Sequence, residues 1–390
     1  MLQAKSAQGS LTTLAMYTQE EINHLRKEQF YCPTCHGEVI IRAGPVTIPH
    51  FAHRTTADCP STAGGEGSYH EKGKLLLYQW LKKHNVNVQL EPYLHDVKQQ
   101  PDVLLHLKKR MIAIEYQCTK ISITELQKRN KGYINAGITP IWILGAHLFK
   151  RSGTHRLRVN SFLLQCMHQF NASFPLTLYF FCSDSSQLLT VQHLYLLSKG
   201  QALATFRFEH LQTLLFPHLF HEQLLRREQF IQLWTNAKRN FRQSQQKRAY
   251  GKELFWRQWL YERNLYIEHL PAIVYLPVRH PFLMKTSLWD WQSRIWFEII
   301  ASLPIGSLFT IDQCKKLLDN DRLSRNNYPL LVDEEDPILQ YLHLLTQLHV
   351  VDQVSETAYK KLKHISLPAD VEEAFIQDEY VMRQFSEIKL

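Results

Sequence analysis

The hydrophobic positions after residue 67 change their period several times, and each change predicts an element. Over residues 69–84 apolar residues recur at i, i+3, i+4, i+7 and i+8, which predicts a helix with one apolar face. Strands are expected at 86–91, 102–107 and 110–118, then a helix at 123–136 and a buried strand at 140–144. The order helix, three strands, helix, strand predicts a mixed α/β core.

The flanking segments have different patterns. A short helix at 20–28 precedes a knuckle and strands at 38–42 and 46–48, and the turn-rich stretch 60–67 marks a boundary. Further β-type runs at 176–181, 188–191 and 202–208 are expected to extend the central sheet. From about residue 217 the period is helical, with helices expected at 289–301, 312–319 and 337–349 and a hairpin at 350–354 and 358–362. A winged-helix-like module is one arrangement of these last elements.

Charge is distributed unevenly along the chain. The 390 residues include 45 Lys and Arg against 36 Asp and Glu, a net charge of +9. Residues 1–145 carry 17 basic and 12 acidic side chains, residues 146–281 carry 17 and 7, and residues 282–390 carry 11 and 17. The first two thirds are therefore expected to meet a polyanion, and the acidic last third to face protein or solvent.

Four side chains near the N-terminus have the spacing of a metal site. Cys32 and Cys35 lie on one tight turn, and His53 and Cys59 follow. Three thiolates and one imidazole form a closed tetrahedral set suited to a structural Zn²⁺. His50 is the alternative imidazole ligand. Because an odd number of cysteines, seven, and such a cluster favour a reducing compartment, and no apolar run approaches about 18 residues, a cytoplasmic protein is expected.

A second group of polar residues consists of acids on neighbouring strands. Asp102 begins one predicted strand, and Glu115 and Gln117 share one face of the next. Two carboxylates in this arrangement can hold Mg²⁺ or Mn²⁺, which indicates phosphodiester cleavage. Glu71 is a third candidate acid, but Ser68 and Glu71 also have the spacing of a helix capping box, so both interpretations stay open.

Asp102 and Glu115, in this order of elements, resemble the PD-(D/E)xK nuclease superfamily, whose third position is usually Lys. This chain has Gln117 there, and Lys74 or Lys120 is hypothesised to supply the missing cation. The segments CPTC, PHFAH, YHEKGK, PDV, IEYQ and PIWILG resemble the bacterial competence protein CoiA family, in which glutamine occupies this position.

The resemblance implies a fold of class α/β plus α in three parts. These are a zinc-ribbon-like N-terminal unit (1–62), a restriction-endonuclease-like mixed sheet of order αβββαβ (63–215), and a mostly helical C-terminal domain (216–390), basic to about residue 281 and acidic after it. It also implies a role in natural transformation, in which incoming single-stranded or branched DNA is processed and recombined alongside RecA and other recombination proteins.

Candidate DNA contacts lie in two places. Arg129 and Tyr133 are one helical turn apart and could reach the scissile phosphate, or could be an ordinary exposed Arg and a half-buried Tyr. Basic residues interleaved with aromatics follow in the predicted helices after residue 220, with Lys238, Arg239, Arg242, Lys247 and Arg248 as candidates. The alternative is a helix pair with core aromatics and solvated charges, which is favoured for the aromatics.

Two functions follow from these expectations. The first is a metal-dependent DNA endonuclease in which Asp102 and Glu115 bind the metal, Gln117 places the water and Glu71 assists. The second is a non-catalytic DNA-binding scaffold or recombinase-loading factor with a degenerate nuclease fold, a hypothesis that the uncharged Gln117 supports.

Overall fold

The computed structural model describes residues 1–44, 48–54, 59, 67–84, 86–108, 110–243, 248–333 and 335–385. Within these ranges the strands form three sheets of five, nine and three strands. None of the helices there has both the length and the apolar composition that crossing a bilayer requires.

The N-terminal sheet is antiparallel, with the order β2-β1-β3-β4-β5. Its strands, and the one helix beside it, are β1 (Gln3–Ser6), β2 (Leu11–Thr13), α1 (Gln19–Leu25), β3 (Phe30–Tyr31), β4 (Glu38–Arg42) and β5 (His50–His53). The predicted strand at 46–48 lies mostly outside the described residues, and β4 pairs with β5. Phe30 and Phe51 pack together in a small core, which fixes β5 against the knuckle.

The central sheet has nine strands in the order β10-β11-β14-β13-β12-β9-β8-β7-β6. Among the strand pairs of the described residues in this sheet, β8–β9 and β9–β12 are parallel and the others are antiparallel. The elements are α2 (Ser68–Lys82), β6 (Asn87–Leu90), β7 (Val103–Leu107), β8 (Arg110–Gln117), α3 (Ile123–Asn135), β9 (Ile138–Gly145), β10 (Arg151–Gly153), β11 (Arg156–Arg158), α4 (Ser161–Gln165), β12 (Thr177–Cys182), β13 (Gln187–Ser198) and β14 (Gln201–His210).

The predicted order helix, three strands, helix, strand is confirmed by α2-β6-β7-β8-α3-β9, and the later β-type runs extend this sheet as expected. Successive residues of β8 face opposite layers, so Ile114 and Tyr116 pack with α2, whereas Ala113 packs with Tyr133 of α3. Gly73 lets α2 approach closely, since a Cβ there would lie 2.0 Å from the Tyr116 ring.

The C-terminal part is mostly helical. Its helices and strands are α5 (Arg227–Gln243), α6 (Lys252–Tyr261), α7 (Leu288–Arg294), a π-helical segment (Ile295–Ile300), β15 (Leu308–Thr310), α8 (Ile311–Leu317), α9 (Pro337–Gln347), β16 (Val351–Gln353), β17 (Ala358–Lys361) and α10 (Val371–Gln384). The predicted hairpin is β16–β17, and β15 joins it in an antiparallel sheet of order β15-β17-β16.

The elements from α7 to β17 follow the order of a winged-helix module, as the sequence allowed. In DNA-binding members of that class the helix equivalent to α9 enters the major groove. Here α9 is buried along most of its length, and Tyr341 and Leu345 are inaccessible to solvent. The module therefore uses this helix for packing.

The C-terminal part shares its hydrophobic core with the central sheet. Tyr195 and Leu203, on β13 and β14, pack with Trp234 and Trp256 of the C-terminal helices. Conversely, Tyr328 of the C-terminal part packs into the hydrophobic cluster around α4 of the central unit. The nuclease-like and helical parts are thus in direct apolar contact.

Two of the DNA contacts predicted in the C-terminal helices are interior residues. Lys238 and Arg242 are almost fully buried, and both pair with Asp378 of α10. Lys238 Nζ also donates to the carbonyl oxygens of Ala272 at 2.8 Å and Val274 at 2.6 Å, and burial lowers the pKa of Lys238 to about 8. The expectation that these two residues contact DNA is therefore wrong, because their charges are enclosed within the protein.

The other members of that predicted set differ in position. Arg239 is exposed but pairs with Glu379 at 3.5 Å and lies over the Phe375 ring, Arg248 is exposed, and Lys247 lies outside the described residues. Trp234, Trp256 and Trp259 are buried core residues, as the preferred interpretation of the aromatics expected, whereas Tyr250 and Phe255 are 72% and 65% exposed and depart from it.

Replacing Asp378 by alanine is expected to lower the free energy of unfolding by about 3–5 kcal/mol, because it leaves two buried cations without their carboxylate. Urea denaturation at pH 7 measures the change. Glu379→Ala is the matched control on the same helix, and we expect under about 1 kcal/mol since its ion pair is exposed. Equal losses in the two variants would contradict the assignment of a buried cluster.

Candidate metal centre and carboxylate site

The four predicted metal ligands of the N-terminal unit lie together. The ligand atoms of Cys32, Cys35, His53 and Cys59 are all within 4.8 Å of one another. Cys32 Sγ is 3.8 Å from Cys59 Sγ, and Cys35 Sγ is 3.3 Å from His53 Nε2. Such a set can hold one metal ion, as the spacing predicted.

The knuckle between β3 and β4 sets the directions of the two thiols. Cys32 N donates to Gly37 O at 2.8 Å, and His36 has a left-handed φ of 59° that closes the turn. Backbone N–H groups of Thr34 and Gly37 each point at a sulfur atom, at 3.4 Å. These two N–H groups fix the positions of the sulfur atoms within the knuckle.

The structure distinguishes the two histidines that the sequence left open. His53 is in the cluster, whereas His50 is not, and the His50 Nδ1 atom lies 3.0 Å from the carbonyl oxygen of Ile48. Both belong to β5, and the strand places them three residues apart, so only one can face the knuckle.

Asp102 immediately precedes β7 and lies beneath α2. Its Oδ2 accepts a hydrogen bond from Tyr116 N at 2.7 Å and is 3.5 Å from His70 Nε2, while its Oδ1 is 3.6 Å from Lys74 Nζ. The His70 ring stacks on the Tyr116 ring, with centroids 5.5 Å apart. Strand β8 and helix α2 together thus fix this carboxylate.

Glu115 points to the face of β8 opposite to that of Tyr116, toward α3, and is almost fully buried. Its Oε1 accepts hydrogen bonds from Arg129 and from the Tyr133 hydroxyl, both on α3. Ser122 caps the start of α3, and the spacing of four residues puts Arg129 and Tyr133 on its inner face. Arg129 and Tyr133 therefore hold a carboxylate of the site.

A buried ion pair adjoins Asp102. Lys74 Nζ is 2.6 Å from Glu91 Oε1, and the Lys74 side chain is only 2% exposed. Glu91 Oε2 accepts from Leu2 N at 2.7 Å, and Leu2 is buried in the core beneath α2. Phe51 N in turn donates to Met1 O, so a continuous chain of contacts joins β5 of the metal-binding unit to Asp102.

The backbone at Glu91 is also unusual. Its φ of 50° lies in the left-handed region, which costs a non-glycine residue about 1–2 kcal/mol. Glu91 N donates to Asp102 O at 3.0 Å, and Gln100 Nε2 donates to Glu91 O at 2.7 Å. Strain of this kind persists only when surrounding contacts hold it, and it is concentrated at functional sites.

The surroundings displace the pKa values of the two carboxyl groups in opposite directions. Burial alone would raise the pKa of Asp102, but Lys74, His70 and the Tyr116 N–H lower it to about 2. Burial raises the pKa of Glu115, and the charge of Asp102 adds to this rise, against the opposing effect of Arg129 and Tyr133. Pairs of carboxyl groups separated in this way are typical of acid–base and metal chemistry.

The remaining predicted residues are less closely engaged. Gln117 is half-buried and its Nε2 donates to Thr119 O at 2.8 Å, while Lys120 is exposed. Within the described ranges, Cys32, Cys35, His53 and Cys59 form the only compact group of three or more such ligands, so Glu71 does not complete one with Asp102 and Glu115. The capping box is wrong as well, because α2 begins at Ser68 and its N-cap is Gly67.

Sequence reasoning missed His70 and Glu91. His70 and Lys74 are four residues apart in YHEKGK, and this helical spacing was a usable signal. Glu91 carried no comparable signal, because its role depends on long-range contacts with Leu2 and Lys74.

The central unit thus has a nuclease-like architecture, in which α2, α3 and three strands bring two carboxylates to one end of a mixed sheet. Comparison with known proteins agrees with this class. Residues 66–224 match the family described as "Competence protein CoiA, nuclease-like domain", residues 14–62 match its N-terminal domain and residues 230–375 match its C-terminal domain.

A curated relative is the competence protein CoiA of Bacillus subtilis (strain 168), which is 27% identical over 340 residues, 86% of this chain and 90% of the relative. No solved structure matches the chain. The chain belongs to the competence protein CoiA family, as the sequence motifs indicated.

The geometry of the N-terminal cluster makes a direct prediction about metal content. His53→Ala is expected to lose the bound metal, because it removes one of four ligands, whereas His50→Ala keeps it. Metal analysis of the purified variants by mass spectrometry, with zinc as the expected element, measures this. Loss of metal from His50→Ala with retention in His53→Ala would contradict the assignment.

Proposed function

We propose that this protein processes DNA during natural competence, as a metal-dependent nuclease acting on incoming single-stranded or branched DNA in recombination. The observation that carries the proposal is the pair Asp102 and Glu115, held at the ends of neighbouring strands of a nuclease-like sheet. We further propose that the Cys₃His cluster binds a structural Zn²⁺ that stabilises the N-terminal unit.

The donor chemistry of the carboxylate pair fits a hard divalent cation such as Mg²⁺ or Mn²⁺. Both hydrogen bonds to Glu115 fall on Oε1, and no donor among the described residues contacts Oε2. Asp102 is held ionised by its neighbours, as its lowered pKa indicates. When bound, the cation would polarise the phosphodiester and lower the pKa of a bound water.

Lys74 is a better candidate than Lys120 for the positively charged side chain that this site lacks at Gln117. It lies 3.6 Å from Asp102 and is fixed by Glu91, whereas Lys120 is exposed. An ammonium group in a buried position acts more strongly on nearby charge than one in water does. Gln117 donates its amide N–H to Thr119 O, which leaves its side-chain oxygen to orient a water.

A second candidate function is a non-catalytic DNA-binding scaffold or recombinase-loading factor. The observation that favours it is the pairing of Glu115 with Arg129, which neutralises this carboxylate without a metal. In this proposal acidic α10 faces a protein partner, and the supporting observation is that Ile376 and Tyr380, one helical turn apart, are 69% and 65% exposed. RecA or another recombination protein is the partner proposed for this surface.

A cleavage assay distinguishes the two candidate functions. Labelled single-stranded and branched DNA is incubated with Mn²⁺ and wild-type protein, Asp102→Asn or Asp102→Ala. We expect Asp102→Asn to lower the cleavage rate by about 10²-fold or more, because it removes a metal-binding charge but still accepts the Tyr116 N–H. Asp96→Ala, an exposed acid on the preceding loop, is the matched control and should cleave normally.

Each outcome decides between the candidates. Cleavage by wild type that is lost in Asp102→Asn supports the nuclease. DNA binding by both proteins with cleavage by neither supports the scaffold, and unchanged cleavage in Asp102→Asn excludes Asp102 from the chemistry. Thermal unfolding of each variant confirms that it is folded.

Glu91 is expected to act as a positioning residue for Lys74. Glu91→Gln keeps an acceptor for Leu2 N but removes the charge that holds the ammonium group. The single-turnover cleavage rate should fall about 10–100-fold, as for other groups that orient a reacting centre from behind, with DNA affinity unchanged. Lys120→Ala should match wild type in both measurements, and a normal rate in Glu91→Gln would contradict this role.

A further inference from the structure

A cavity outside the carboxylate site lies between α3 and a loop of the C-terminal part. Its volume is about 820 Å³. Helix α3 contributes Thr124, Gln127, Lys128 and Lys131 to the lining, and the loop contributes residues 325–329 and Leu331. Gln127 Nε2 donates to Asn327 O at 3.1 Å, which joins the two walls. The loop is held in turn by Arg325, which donates to the carbonyl oxygens of Leu331, at 2.6 Å, and Asp333.

The lining of this cavity is cationic and rich in amides. Lys128 and Lys131 are exposed and lie one turn apart on α3, and neither has a carboxylate oxygen within 4.0 Å among the described residues. Asn326 and Asn327 lie across from them, and none of the described residues that line the cavity is acidic. Two unpaired ammonium groups facing amide donors are suited to an anionic ligand with several oxygen atoms.

Helix α3 connects this cavity with the carboxylate site. Arg129 and Tyr133 on its inner face contact Glu115, and Lys128 and Lys131 lie on the face turned away from the sheet. The aromatic residue in the lining, Tyr328, is buried and donates its hydroxyl to Phe282 O, so its ring is not available for base stacking.

We propose that this cavity, which we call the α3 cleft, binds backbone phosphates of the single-stranded DNA that the carboxylate site acts on. The proposal rests on the proposed function, and it assigns the C-terminal part a share in DNA binding in addition to packing. Contacts to phosphates alone carry no sequence preference, which suits a protein that meets DNA of any sequence.

The test measures affinity without cleavage. Fluorescence anisotropy of a labelled single-stranded oligonucleotide is followed at several salt concentrations in an Asp102→Asn background. Lys128→Ala with Lys131→Ala should weaken binding at least tenfold at low salt, and should reduce the slope of log K against log salt by about 1.4, since each phosphate contact contributes about 0.7. The matched control is Lys82→Ala with Lys83→Ala, an exposed lysine pair at the end of α2.

A second variant changes the opposite wall. Asn327→Asp places a carboxylate in the α3 cleft and should also weaken binding, whereas Asn264→Asp, on a distant turn, should not. Equal losses in the two lysine pairs, or no loss in either, overturns the proposal. Poly-L-glutamate that competes as well as DNA does for the cleft also overturns it, because it would indicate an acidic protein partner.

Failure here is distinguishable from failure of the proposed function. If cleavage depends on Asp102 but binding does not depend on Lys128 and Lys131, the nuclease function is supported and DNA binding by the α3 cleft is contradicted. Binding that requires the two lysines, without cleavage by wild type, retains the cleft and favours the scaffold. If the Asp102→Asn protein without further substitutions has no affinity for DNA, both the proposed function and the α3 cleft proposal are contradicted.

Discussion

The buried ion pair between Lys74 and Glu91 is the interaction on which the organisation of the site depends. A lysine that is 2% exposed needs an anionic partner, and here it has Glu91 at 2.6 Å and Asp102 at 3.6 Å. Three separate segments must converge to build this arrangement: α2 supplies Lys74, the end of β6 supplies Glu91, and β7 supplies Asp102. The positive charge of Lys74 thus couples α2, the β6–β7 hairpin and the carboxylate of Asp102.

The same interaction links the metal-binding unit to the site. Glu91 accepts the Leu2 N–H, and Met1 pairs with Phe51 two residues before His53, a member of the cluster that could hold a metal. Loss of metal from the Cys₃His cluster would loosen β5, and with it the segment that contacts Glu91. The N-terminal unit therefore supports the carboxylate site in addition to forming its own small core.

Most of the fold was predictable from the pattern of the apolar residues, because α2 and α3 each bury one face, whereas β7 and β8 are apolar runs buried on both faces. A partner for Glu115 was predictable for a related reason, since an acid within the apolar run of β8 is costly to bury unpaired. Lys238 and Arg242 were misread because composition does not distinguish a cation on the surface from one paired with Asp378, 136 or more residues away. Glu91 was missed for the same reason: its partners are distant in sequence.

We propose that Asp102 and Glu115 together hold a divalent cation despite the pairing of Glu115 with Arg129. Isothermal titration calorimetry with Mn²⁺, on protein already saturated with zinc, tests this most directly. We predict one site in the wild-type protein that is lost in Glu115→Gln and in Asp102→Asn, while Glu125→Gln, an exposed residue on α3, retains it. Mn²⁺ binding that is equal in all four proteins, or absent from wild type, would contradict the account.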